Sequence, residues 1–134
     1  MRTGGINWLA VAASAVAIYV LGFLIYGMAI PEETFMAMSG ITEAEKATAM
    51  SRMIYGPLMP ILTSVFLAVL FVWGQVATIS TGVRWAAAVA FASAIPTMLY
   101  GWVYGGLDTN MTMIDCAHLF LGHATAGAIL GGWR

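Results

Sequence analysis

Three ionisable side chains, Asp115, His118 and His123, stand within one apolar stretch late in the sequence. Ionisable groups inside such stretches are costly to bury and are the first candidates for chemistry. If the stretch is a helix starting at Met111, a rise of ~1.5 Å per residue puts Asp115 about 6 Å inside, His118 about 10 Å and His123 about 18 Å. At ~100° per residue, Asp115 and His118 share a face, and His123 is turned about 140° from His118. A carboxylate three residues before a histidine can hydrogen-bond or ion-pair with it and tune its proton affinity. Such a pair can relay protons or hold a substrate cation. The structural alternative places Asp115 in the first turn, favoured by the helix dipole and bonded to local backbone. For His123, near the middle of the stretch, the simpler reading is a neutral ring hydrogen-bonded between helices.

Other chemistries find little support. Axial haem ligands approach the iron from opposite faces, and one helix cannot easily supply both from two histidines five residues apart. A bis-histidine haem therefore needs a homodimer. Asp115, Cys116 and His118 are too few and point too differently for a metal site. Cys116 lies between Asp115 and His118, but helix neighbours diverge by ~100° and form no nucleophile–base dyad. No Gly-rich phosphate loop, HExxH or GxSxG motif is present. These observations point to no enzyme, no cofactor and no metal. The aromatic side chains Tyr19, Tyr26, Trp73, Tyr100, Trp102 and Tyr104 are better explained as interfacial belts and helix packing. A cavity for a pigment, lipid or quinone is the alternative for the pairs Tyr19/Tyr26 and Tyr100/Tyr104, each sharing a helix face.

The elements that must position these residues are membrane helices. Of 134 residues, 61% are hydrophobic and 8% charged, with a mean hydropathy of +0.89. Soluble domains carry about 25% charged residues, so this chain cannot cover its surface with polar groups in water. A net charge of −1 supplies no basic face for nucleic acid. The single cysteine excludes an intrachain disulfide and leaves the redox compartment open. A bilayer span needs ~20 residues, and four apolar stretches fit at about 6–30, 55–78, 84–105 and 111–133. The first is far longer than the ~7–15 apolar residues of a signal peptide and is expected to be a retained helix.

The expected fold is all-α: one polytopic membrane domain, a four-transmembrane-helix bundle. Pro31 ends the first span. The polar stretch from 31 to 53 carries Thr42-Glu43-Ala44-Glu45, a capping box that predicts a short amphipathic helix from Glu43 to about Met53, lying along the membrane surface. Pro57 and Pro60 fall in the first turns of the second span, where a missing N–H costs little. Thr81-Gly82 predicts a tight turn, and Pro96 predicts a kink within the third span. Gly101 and Gly105 on the third span, and Gly127 and Gly131 on the fourth, have the Gly-x-x-x-Gly spacing that brings helix backbones together, within the chain or between copies. Arg2, Arg84 and Arg134 fall on one side of the membrane, and Lys46 and Arg52 on the other with four glutamates and Asp108. The positive-inside rule then puts both termini in the cytoplasm.

A family likeness runs through nearly the whole chain. Ile6-Asn7-Trp8-Leu9-Ala10-Val11, Gly22-Phe23-Leu24-Ile25-Tyr26-Gly27 and Ile114-Asp115-Cys116-Ala117-His118, followed by Gly122 and Gly127-Ala128-Ile129-Leu130, resemble a family of small bacterial membrane proteins. That family is known as domain of unknown function 1761. Ile25 stands where a tryptophan is often seen. The resemblance implies four spans and the bacterial inner membrane, and marks Asn7, Gly22, Tyr26, Asp115 and His118 as matching motif positions. It implies no activity. The expected role is a non-catalytic accessory subunit or self-associating scaffold, whose partners are the lipid bilayer and other membrane subunits or copies of itself. The alternative is a small oligomeric transporter or channel using Asp115, His118 and His123, since four spans are too few to enclose a pathway alone.

Overall fold

A computed structural model describes residues 2–133. Arg134, one of the basic residues assigned to the N-terminal side, lies outside them. Four helical runs are long and apolar enough to cross a membrane: Trp8–Ala29, Glu43–Trp73, Ile79–Gly105 and Thr109–Gly132. The expected four-helix membrane bundle is the fold found.

The chain opens with a two-stranded hairpin, β1 (Arg2–Thr3) against β2 (Ile6–Asn7), closed by Gly4 and Gly5 at φ +59° and +81°. Both positions have the left-handed backbone that a two-residue hairpin turn requires and glycine adopts without cost. Asn7 then caps α1 (Trp8–Gly22), its Oδ1 accepting from the backbone N–H groups of Leu9 and Ala10. The first span continues as a wider π-helical turn, Phe23–Ala29, and Pro31 follows its end.

The polar connection holds two helices where one was expected, α2 (Glu32–Ser39) and α3 (Glu43–Arg52). Gly40, at φ +68°, ends α2. The capping-box expectation holds: Thr42 and Glu45 form the box at the start of α3, and Glu45 Oε2 accepts from the Thr42 N–H at 3.0 Å and from the Thr42 hydroxyl at 2.7 Å. The Lys46 ammonium reaches back to Glu32 at 2.5 Å and ties the two helices together. A single 3-10 turn, Met53–Tyr55, leads into α4 (Leu58–Trp73), the apolar part of the second run.

The boundary between the second and third spans differs from expectation. The turn lies at residues 74–78, and Thr81-Gly82 is already helical within α5 (Ile79–Val89). Thr78 is the reason: its hydroxyl oxygen caps the Thr81 N–H at 3.2 Å and starts the helix there. The third span widens into a π-helical turn at Ala90–Ala94 and resumes as α6 (Ile95–Gly105). The irregularity expected from Pro96 thus falls just before it, where the ring lacks an N–H and crowds the preceding turn.

The fourth span, α7 (Thr109–Gly132), is the centre of the bundle: α5 lies most closely against it, then α1, with α6 and α4 touching it less. Its C-terminal half explains the closeness of α5. A methyl at Gly127 comes within 2.5 Å of the Gly82 carbonyl oxygen and 2.7 Å of Ala86 Cβ, and one at Gly131 meets the Thr78 carbonyl. Backbone lies on backbone, as small-residue packing in lipid allows. The core adds Ala10, Val11, Ile18, Leu67, Phe71 and Leu130, all buried. At the end of the bundle holding the N-terminus, Trp85 covers Gly74, and the Asn7 amide donates to the Trp133 carbonyl at 2.9 Å. Trp8, Trp73, Trp85 and Trp133 therefore gather at one end, where indole suits a membrane interface.

Candidate functional site

The polar residues of the fourth span separate into two environments. His123 is buried, and its Nδ1 lies 2.7 Å from the Leu119 carbonyl oxygen, one turn earlier in α7. A carbonyl only accepts, so Nδ1 carries the proton in this bond. The expected interhelical bond is replaced by one inside the helix, because the rotation away from His118 turns the ring into the packed side of α7.

Asp115 and His118 face the first span. The Tyr26 hydroxyl donates to Asp115 Oδ1 at 2.5 Å. The His118 ring stands edge-on to the Tyr26 ring, with centroids 5.3 Å apart and planes at 90°. Phe35 of α2 closes over the other side of Tyr26 in a second edge-to-face contact at 6.3 Å. Gly22 makes room for the imidazole: a methyl there comes within 3.2 Å of His118 Nε2. That nitrogen is buried without a hydrogen-bond partner, although the Ile18 carbonyl lies nearby. The cluster therefore joins Gly22 and Tyr26 of the first span to Asp115 and His118 of the fourth, with Phe35 as a cover.

Local backbone geometry decides this arrangement. Tyr26 sits in the π-helical turn Phe23–Ala29. Such turns carry an extra residue relative to the α-helical register, shift which side chains face a neighbour, and are frequent at functional sites. Asp115 lies six residues into α7, about 9 Å from its start, so the cluster sits near the end of the bundle remote from both termini. Asp108, not Asp115, caps the helix, accepting from the Met111 N–H at 2.9 Å.

Two sequence expectations about this pair are thereby corrected. Asp115 does not bond local backbone; it takes its proton donor from another span. Nor do Asp115 and His118 ion-pair, since the only ion pair among the described residues is Lys46–Glu32. Three-residue spacing puts them on one face, but each turns to Tyr26 instead of to its neighbour. Cys116 is a free, half-buried thiol. Among the described residues, no group of three His, Cys, Asp or Glu side chains is placed to hold a metal.

The remaining candidates lie elsewhere. Asn7, at the opposite end of the first span from Tyr26, is occupied as helix cap and clasp. Gly127 and Gly131 pack as expected of them. Gly101 and Gly105 do not approach another helix within the chain: a methyl at Gly105 meets open space, and one at Gly101 meets only Leu107. The close-packed glycine of the third span is Gly82, whose place in an apparent turn hid it in the sequence. Gly22 and Tyr26 were visible as motif positions, but the π-helical turn that aims them at Asp115 and His118 has no sequence signature here.

The sequence pattern of the family described as "Protein of unknown function (DUF1761)" matches residues 9–131. The chain belongs to the DUF1761 family. The match takes in the whole Gly22–Tyr26–Asp115–His118 cluster and both halves of the Gly82–Gly127–Gly131 contact. No curated protein and no solved structure matches the chain.

Proposed function

We propose that this DUF1761 protein is a non-catalytic subunit of the bacterial inner membrane, acting as an accessory part of a larger complex or as a scaffold assembled from copies of itself. The observation that carries this reading is the third span. Only 11% of its apolar window is buried, against 28% for each of the other three. It leans on α7 along α5, while α6 buries none of its residues. Gly105 faces outward there beside the exposed pair Tyr100 and Tyr104, whose ring centroids lie 4.5 Å apart with planes tilted by 45°. A small residue with open space before it, Gly105, next to aromatic side chains, suits a helix from another chain. The cluster around Tyr26 supports a structural role as well: its acid accepts a hydrogen bond from another span.

The orientation proposed places both termini in the cytoplasm, with Arg2 and Arg84 on that side and the acid-rich segment containing Glu32, Glu33, Glu43 and Glu45 on the other.

The test is gentle detergent extraction from native membranes followed by native mass spectrometry. The expected result is a defined assembly, of copies or with other membrane subunits, and a bare monomer would overturn the proposal. A second reading, a small oligomeric transporter, is favoured by one observation, the unpartnered buried Nε2 of His118 beside Asp115. Under it, Asp115→Asn abolishes pH-dependent flux in reconstituted vesicles, and unchanged flux removes Asp115 from any pathway.

A further inference from the structure

An open crevice lies between the first and second spans, away from the Tyr26 cluster. It has a volume of about 160 Å³, is open on its outer side, and is lined by Ala15, Val16 and Tyr19 of α1 and by Pro57, Pro60 and Ile61 at the start of the second span. Proline explains the gap. Pro57, just before α4, and Pro60, in its first turn, present compact rings, and Ala15 opposite them offers only a methyl. The lining is almost wholly apolar, and both walls belong to membrane-crossing helices, so the medium that fills the crevice is hydrocarbon. Apolar cavities of about 150 Å³ stay dry and take up six-carbon hydrocarbons.

A cation sits just beyond the crevice. Arg52 ends α3 and is five residues from Pro57 across the 3-10 turn Met53–Tyr55. At ~2 Å per residue, the two lie within about 10 Å. Arg52 is exposed and makes no ion pair, since Lys46–Glu32 is the only one among the described residues. Glu45 feels the charge of Arg52 but forms no ion pair with it. Between Arg52 and the crevice, Met53, Ile54 and Tyr55 are all largely exposed, an apolar turn suited to the boundary of headgroups and acyl chains. The Tyr19 ring stands under this turn, against Gly56.

We propose that this crevice and Arg52 together form a binding site for one anionic glycerophospholipid, an acyl chain lying between Pro57, Pro60 and Ala15 and the phosphate held by the Arg52 guanidinium. Arginine suits phosphate, presenting a planar fork of donors. The selectivity is for the headgroup. An acyl chain leaving the bilayer for the crevice exchanges one hydrocarbon surrounding for another and gains no hydrophobic free energy, whereas an unpaired guanidinium gains most from a net negative lipid. The site is independent of the proposed role in assembly.

The experiment reconstitutes the full chain in nanodiscs of equal phosphatidylglycerol and phosphatidylcholine and counts retained lipids by native mass spectrometry. One phosphatidylglycerol per chain is expected, retained about tenfold over phosphatidylcholine, which corresponds to about 1.4 kcal/mol. Arg52→Gln is expected to erase the preference, and Arg84→Gln, an exposed cation at the other end of the bundle, to leave it intact. Val16→Trp, at an exposed position on the crevice rim, fills the groove from outside the core and is expected to lower retention of both lipids. Equal retention of the two lipids by the unmodified chain, loss of preference in Arg84→Gln but not Arg52→Gln, or undiminished retention in Val16→Trp each overturns the proposal.

Discussion

The Tyr26 hydroxyl donates to Asp115 Oδ1 across 2.5 Å, although 89 residues separate the two in the chain. This bond gives the one acid well inside the fourth span a partner on the first. It also fixes the level at which the two spans meet at the end of the bundle remote from the termini. The Asn7–Trp133 bond fixes them at the other end. In a medium where apolar surface gains nothing by leaving lipid, such polar contacts and close backbone packing are what hold helices in one register.

Tyr26→Phe removes the donor and leaves a half-buried carboxylate without it. A loss of about 1–2 kcal/mol is expected, in line with hydrogen bonds between membrane helices. Asp115→Asn keeps an oxygen to accept from Tyr26 and removes the charge, so its cost is expected to be smaller. Thermal melts of the two variants in one detergent check the order. A larger loss for Asp115→Asn would mean that the charge itself stabilises the bundle.

Gly22 and His118 are coupled through space. Gly22→Ala puts a methyl 3.2 Å from Nε2, so the imidazole, held on its other side by Tyr26, must shift or strain. The expected outcome is a loss of stability that His118→Ala partly relieves, with non-additivity of about 0.5–1 kcal/mol in the double-mutant cycle. Additive losses would show that the two side chains do not touch in the bilayer.

The two glycine pairs part company on substitution. Gly127→Ala forces its new methyl against the Gly82 carbonyl and Ala86, both on a packed helix that cannot yield locally, and a loss of about 3 kcal/mol or more is expected. Gly105→Ala meets open space and changes monomer stability by under about 1 kcal/mol, helix propensity favouring alanine. If the third span binds another chain, Gly105→Ala instead lowers the assembled fraction seen in native mass spectrometry while the melting temperature of the monomer stays put.

Acid loosens the α2–α3 connection. The Lys46 hydrogen bond, then its charge, holds the Glu32 carboxyl below the usual carboxylate value. A lowered folded-state value means that the contribution is complete above the ordinary glutamate range of about 4.3 and is lost as pH falls through the lower folded value. Both groups are solvent-exposed and salt screens them, so the effect is local. Protection of the amides of residues 32–52 from hydrogen exchange, measured relative to the intrinsic rate at each pH, is expected to fall below about pH 4, and Lys46→Gln to abolish that step. A step unchanged in Lys46→Gln would assign it to another carboxylate.

Four spans and the Thr42–Glu45 cap were legible in the sequence, because each depends on interactions within about 20 residues: hydropathy over a bilayer's thickness and a carboxylate three residues past a threonine. The intramembrane candidates Asp115, His118 and His123 were legible for the same reason, as exceptions within an apolar run. Their partners were not. Whether Asp115 meets His118, local backbone or Tyr26 depends on the π-helical turn that rotates Tyr26 toward α7, and several registers of that span satisfy the same hydropathy. Gly82 read as a turn because glycine beside threonine is ambiguous until a neighbouring helix presses on it; Gly101 and Gly105 read as packing residues, and no helix of this chain arrives. Local composition alone determined that the chain has four stretches apolar and long enough to cross a membrane. Only the tertiary structure decided which faces meet, because in lipid that choice rests on side-chain shape and a few hydrogen bonds, and these are contacts between residues far apart in sequence.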